Sequence, residues 1–188
     1  TQKASRFFPS ARFLMVDPLE ERRAGLNEVC RRILTAEVAI AAAGDRTGRV
    51  QFEVTAELDG SGVSLAASGE VPKREVPMVS LDQLVSERNL PAPFLLKLDT
   101  HGFELPILAG AFDVLRRAEA LIIEAYNFRL GPECLRFHEL CAHLDTLGFS
   151  CSDLADPLLR PKDLLLWQMD LAFLRKSTAG FSAHHFHR

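Results

Sequence analysis

Long apolar runs are missing from this chain: no uncharged stretch approaches the roughly 18 residues of a transmembrane helix, so such a span is excluded. Excess positive charge is missing too. With 22 Lys+Arg against 25 Asp+Glu, the net charge of −3 offers no electrostatic footprint for nucleic acid. The opening Thr-Gln-Lys-Ala-Ser-Arg-Phe-Phe-Pro is too polar and too interrupted for a signal peptide. The four cysteines (Cys30, Cys134, Cys141, Cys151) form no CxxC pair and no dense framework, and are expected to be reduced thiols in a cytoplasmic protein. No glycine precedes Gly25, and there is no internal repeat. What is present is an ordinary globular mixture, 47% apolar and 25% charged over 188 residues. That is enough for one α/β domain over residues 1–176, with a flexible tail at 177–188.

Short apolar runs alternate with segments of helical period. Arg12 to Asp17 reads as a strand buried on both faces and closed by a carboxylate. Pro18 suits a first helical turn, and Leu26, Val29, Cys30 and Ile33 continue the helix at 3.6-residue spacing. Val38 to Ala43 is a second run, ended by Gly44-Asp45. Between Gly48 and about Ala67 the pattern changes to period two, with Asp59-Gly-Ser-Gly as a turn, which predicts a small antiparallel excursion. Glu75 to Val79 is a further extended piece. Ser80 and Gln83 have the capping-box spacing at the head of a helix.

Phe94 to Asp99 is the next strand, and one helix is expected over Glu104 to Arg117 with Leu105, Leu108, Phe112 and Leu115 inward. Ala120 to Ala125 is a strand, and Pro132 to Leu147 a helix with Gly148 at its C-terminal cap. A short strand from Phe149 to Ser152, a proline-bearing loop and a last strand around Leu171 to Leu174 complete the pattern. Such alternation predicts a mostly parallel sheet covered by helices, with ligands at the carboxyl ends of its strands. Asp17, Gly44-Asp45, Asp99 to Glu104 and Glu124 to Asn127 lie at those ends.

Asp17 has two readings: an acceptor for ribose hydroxyls, or a cap for the helix that follows it. Lys97, Asp99, His101 and Glu104 crowd into eight residues around one strand end. A lysine within a buried strand needs a partner, and Glu124 in the next strand is the expected one, either as a fold-specifying pair or in catalysis. His138-Glu-Leu-Cys-Ala-His143 is not a zinc-protease motif, since its histidines stand five apart. Cys134, His138 and Cys141 read as a packed helical stripe, and Gly60-Ser-Gly62 as a turn. His184, His185 and His187 read as part of the frayed tail.

Leu95-Leu-Lys-Leu-Asp-Thr-His-Gly-Phe-Glu followed by Leu108-Ala-Gly-Ala resembles the signature block of the FkbM-type S-adenosylmethionine-dependent methyltransferases: apolar-Lys-apolar-Asp, two residues, Gly-x-Glu, then Leu-x-Gly-Ala. Val79-Ser-Leu-Asp-Gln-Leu, Met15-Val-Asp-Pro, Ala41-Ala-Ala-Gly-Asp-Arg-Thr-Gly, Leu147-Gly-Phe and Met169-Asp-Leu-Ala-Phe-Leu-Arg are similar to its weaker elements, so the likeness runs from about residue 12 to 176. The resemblance implies a class I methyltransferase (Rossmann-like) fold with strand order 3-2-1-4-5-7-6 and an antiparallel strand 7. It implies that Asp17 holds the cofactor's ribose, that Gly44 and Asp45 border its adenine, and that Asp99 lies near the sulfonium and the acceptor, with Glu104 just beyond.

Two departures stand out. The first strand and glycine-rich loop, expected ~20 residues before the ribose carboxylate, are missing, so the chain reads as a fragment or as a member that has lost cofactor binding. His101 stands where the family usually has Gln or a carboxylate. It is either a general base or a hydrogen-bonding spacer.

The expected activity is therefore S-adenosylmethionine-dependent O-methylation of a small acceptor, such as a sugar or polyketide-type hydroxyl. Asp99 and His101 take the proton and Glu104 positions the acceptor. No metal site is expected, because Asp99 and Glu104 supply too few ligands. The alternatives are a non-catalytic methyltransferase-like scaffold and, third, a nicotinamide-dependent oxidoreductase.

Overall fold

The computed structural model describes residues 1–58, 60–64 and 71–181. Asp59, part of the expected turn, and the histidines of the tail lie outside these residues. The described residues form two compact units, the first of 1–58, 60–64, 71–91 and 106–114, the second of 92–105 and 115–181.

In the first unit, α1 (Gln2–Phe7) precedes β1 (Phe13–Val16), which pairs in parallel with β2 (Ala36–Ala39). The crossover between them is a 3-10 turn (Glu20–Arg22) leading into α2 (Arg23–Arg32). The helix therefore starts later than Pro18 suggests, because Asp17 to Leu19 form a turn of their own. A second, four-stranded sheet has the order β3-β6-β4-β5, from β3 (Ala42–Gly44), β4 (Gly48–Glu53), β5 (Gly62–Val63) and β6 (Lys73–Ser80). β4 runs antiparallel to both β5 and β6, as the period-two pattern predicts, while β3 and β6 are parallel.

The helix α3 (Leu81–Glu87) begins at Ser80, whose Oγ accepts the Gln83 N–H at 3.2 Å. Only that half of the capping box forms, since the Gln83 side chain turns to Thr47 and Glu87 instead.

The single helix expected over 104–117 is two: α4 (Glu104–Ala109) and α5 (Phe112–Arg117). The break at Gly110 has a packing cause. A Cβ on Gly110 would lie 2.0 Å from the Gly44 carbonyl oxygen, so only glycine allows these backbones to touch. Beyond the break Asp82 caps α5 from outside, its carboxylate accepting the Asp113 and Val114 N–H groups at 3.1 and 2.9 Å. The break also rotates the expected stripe: Leu108 and Leu115 are buried, but Phe112 is 66% exposed.

The second unit is one sheet of order β7-β8-β10-β9, made of β7 (Phe94–Leu98), β8 (Ala118–Tyr126), β10 (Leu166–Arg175) and β9 (Phe149–Leu159). β7 and β8 are parallel, and β10 is antiparallel to both of its neighbours. The order and strand directions match the 4-5-7-6 block of the implied order. Leu121, Ile123, Leu144, Phe149 and Phe173 form the core, each losing nearly all contact with water. Burial of each ring contributes about 2–3 kcal/mol.

The helix α6 (Phe137–Thr146) starts five residues later than Pro132, where Glu139 folds back to accept the Arg136 N–H at 2.9 Å. Gly148, at φ +85°, closes it as expected. β9 continues through the stretch expected to be a loop. Pro157 is tolerated because β9 is an edge strand, where a missing N–H leaves no ladder bond unmade.

Among the described residues the fold is thus mixed α/β, with three parallel strand pairs and four antiparallel ones. The expectation of a mostly parallel sheet is corrected by the 48–80 excursion and by the long β9–β10 pairing.

Candidate active site

In the second unit β7 ends at Leu98, and residues 99–103 carry the chain into α4. Alternation places Lys97 and Asp99 on one face of β7. The register sets Lys97 opposite Ile122, and Glu124 opposite Asp170. Lys97, Glu124 and Asp170 therefore share a face, and Tyr126 and Gln168, opposite each other, continue it.

The turn is built around Glu104, the buried charged residue of the described core, at 6% exposure. Its carboxylate accepts the Gly102 N–H at 2.9 Å and the Thr100 hydroxyl at 3.1 Å. Buried carboxylates persist only when satisfied in this way. Glu104, expected to position an acceptor, here closes the loop that carries His101. Cys134 donates its thiol to the Gly102 carbonyl at 3.2 Å, and burial, then the Glu104 charge, pushes that thiol's pKa up. His101 itself sits at φ +53°, in the left-handed region, while Gly102 follows at +97°.

His101 Nε2 lies 3.7 Å from Glu124 Oε1 and 3.9 Å from Asp99 Oδ1. The ligand atoms of Asp99, His101 and Glu124 all fall within 4.8 Å of one another, a constellation not foreseen from Asp99 and Glu104 alone. Asp99 is half-exposed and also pairs with Lys97 at 3.5 Å. The expected Lys97–Glu124 pair does not form. Lys97 reaches Asp170 at 3.5 Å instead, because Glu124 stands two residues beyond its register partner and is already engaged. Glu124 accepts the Tyr126 hydroxyl on Oε1 and Gln168 Nε2, at 3.0 Å, on Oε2. Burial raises the Glu124 pKa, the Tyr126 hydrogen bond opposes that shift, and the Asp99 charge adds to it. Burial and the same hydrogen bond push Tyr126 well above the ordinary phenol range, so it remains a donor. Tyr126 meets His101 edge to face at 6.4 Å and Trp167 at 6.1 Å, and Phe128 stacks obliquely on Trp167 at 5.3 Å.

The other expected site residues lie in the first unit. Asp17 Oδ1 accepts the Leu19 N–H at 2.8 Å, and Oδ2 is 3.7 Å from Arg22. The capping reading is thus realised, but on the turn before the helix. Gly44 ends β3 under Gly110, and Asp45 pairs with Arg46 at 2.7 Å. Trp167 and Gln168 are the site residues sequence reasoning missed, while Tyr126 lay within the expected strand end 124–127 with no role given to it. The available signal was their placement at strand ends next to Glu124.

The profile of the family described as the methyltransferase FkbM domain matches residues 3–151. The chain belongs to the FkbM methyltransferase domain family. Among solved structures the chain resembles the crystal structure of methyltransferase FkbM from Methylobacillus flagellatus KT, with TM-score 0.52 and 19% identity over 87% of this chain. The likeness shows the fold, and the chain spans 36% of that FkbM protein's length. No curated protein sequence matches the chain. The Gly110 contact and the Asp82 cap lie within the matched residues, so the Gly-Ala and Leu-Asp elements that carry the resemblance are packing devices in this chain.

Proposed function

We propose that this FkbM domain transfers a methyl group from S-adenosylmethionine to a hydroxyl of a small acceptor, such as a sugar or polyketide-type alcohol, in the cytoplasm. The carrying observation is an imidazole held between two carboxylates at a strand's carboxyl end, on a turn braced by a buried glutamate. In this reading residues 1–176 act as one class I methyltransferase-like domain. Asp17, Gly44, Asp45 and Asp99 are assigned to the cofactor.

The residues fit such a group in their chemistry. Asp99, Glu124 and Asp170 set three carboxylates against one ammonium, Lys97, a field that suits a cationic sulfur. Asp17 Oδ2 retains acceptor capacity for ribose hydroxyls. S-adenosylmethionine, when bound, supplies a methyl carbon already activated by positive sulfur. The chain's own part is alignment and proton removal. His101 takes the acceptor's hydroxyl proton, and Asp99 and Glu124 offset the imidazolium charge that results.

The non-catalytic scaffold has an observation of its own in its favour: Asp17 Oδ1 is already committed to Leu19, and Gly44 is covered by Gly110. Calorimetry of the full-length gene product with S-adenosylmethionine separates the two, since a scaffold gives no binding heat. With methyl-labelled S-adenosylmethionine and a panel of hydroxylated sugars, label transfer is expected. His101→Gln is then expected to lower turnover by about 10² or more. Unchanged turnover across pH in that variant removes His101 as the base.

A further inference from the structure

Cys134 reads from the sequence as part of a helical stripe, but it lies ahead of α6, in the connection from β8, and is 2% exposed. Its neighbours hold it there from both sides. The Cys134 N–H donates to the Gly131 carbonyl at 3.1 Å, and the Cys134 carbonyl accepts Arg129 Nη1 at 2.9 Å. Arg129 in turn reaches Glu139 in the first turn of α6. The thiol leaves this segment and donates to the Gly102 carbonyl, in the turn that carries His101. Gly102 is therefore gripped at both ends. The peptide before it is fixed through the N–H that Glu104 accepts. The peptide after it is fixed by Cys134 on the carbonyl and by the Phe103 N–H, which meets the Thr100 carbonyl at 3.3 Å. The grip matters because His101 and Gly102 both have positive φ, +53° and +97°. A residue with a Cβ stays in that region only where its surroundings hold it. Burial, then the Glu104 charge, raises the Cys134 pKa, so the sulfur keeps its proton and stays a donor at neutral pH.

We propose that Cys134 is a positioning residue of this site: its thiol fixes the Gly102 peptide and so holds the His101 imidazole in its place between Asp99 and Glu124. The inference rests on the reading of His101 as base. It extends the site beyond the strand ends into the β8–α6 connection, along the line Glu139, Arg129, Cys134, Gly102, His101. Buried cysteines commonly serve as small apolar filling. This one adds a directed hydrogen bond to a peptide next to the proposed base. Without that bond the Gly102 carbonyl loses its tether, the turn drifts, and the imidazole drifts with it. A misplacement of about 1 Å is enough to slow a proton transfer while leaving substrate binding nearly intact.

Two variants of similar volume separate this role from packing. Cys134→Ala removes the donor, whereas Cys134→Ser removes similar bulk and keeps one. Deuterium exchange of the full-length protein, read by mass spectrometry over residues 100–104, needs no substrate. Cys134→Ala is expected to speed exchange there several-fold, and Cys134→Ser to recover most of the protection. In methyl transfer Cys134→Ala is expected to lower kcat by about 10-fold with KM nearly unchanged, and Cys134→Ser to restore most of that loss. A packing role predicts the opposite order, because a buried serine adds polarity without restoring volume. Serine that protects the turn no better than alanine overturns the proposal. So does an active enzyme whose turnover in the two variants falls only in step with the urea midpoint. Protection restored by serine in a chain that methylates nothing upholds the positioning of the turn and removes the methyl-transfer reading instead.

Discussion

The two units treat the same sequence pattern in opposite ways. In each, an apolar run in a parallel strand ends on an aspartate, Asp17 after β1 and Asp99 after β7. In the first unit the aspartate turns inward to its own chain, accepting the Leu19 N–H, and the neighbouring strand end at Gly44 is covered by Gly110. In the second, Glu104 satisfies the turn's donors, so Asp99 stays open beside Lys97 and His101. The difference lies in who supplies the acceptor for the turn. Where the strand-end carboxylate does so itself, less of it remains for chemistry. Where a buried glutamate further along does it, the carboxylate is released.

Substitutions can break that contrast. Gly110→Ala has the largest expected effect, because its Cβ would meet backbone rather than a movable side chain. A loss of about 3 kcal/mol or more is expected in urea denaturation, whereas Gly25→Ala, with open space around it, serves as the control. Glu104→Ala is next: leaving the Gly102 N–H and Thr100 hydroxyl without their acceptor should cost about 2–3 kcal/mol and displace His101, so turnover falls along with stability. Asp17→Ala should cost about 1 kcal/mol, while Asp17→Asn keeps a side-chain oxygen for Leu19 and should cost less. The pair also sharpens the comparison. If Asp17 meets the cofactor's ribose, Asn weakens S-adenosylmethionine binding by calorimetry even where stability is kept.

Much of this was legible in the sequence where one local force decides. The runs expected at 12–17, 94–99 and 120–125 form β1, β7 and β8, since short β-branched and aliphatic runs favour extended pairing, whereas the run expected at 38–43 divides between β2 and β3 in different sheets. Ser80 and Gly148 marked helix ends through hydrogen bonding and φ. What was not legible depended on partners distant in the chain. Gly110 breaks a continuous helical pattern only because Gly44 lies against it. Pro157 sits in a strand only because β9 is an edge. Lys97 chooses Asp170 over Glu124 through register, which periodicity alone does not fix. Of the site, Asp99 and His101 were visible as a cluster, but the role of Glu104 and the Tyr126–Gln168 clamp needed the paired strands.

The chain has a single tryptophan, and Trp167 is in edge contact with the tyrosine that touches His101. Indole emission from this chain therefore originates at one corner, with only the Tyr126 ring between it and the proposed base. An intensity or wavelength change on adding a compound reports on that corner without any label, and a screen for acceptors can begin with a fluorimeter.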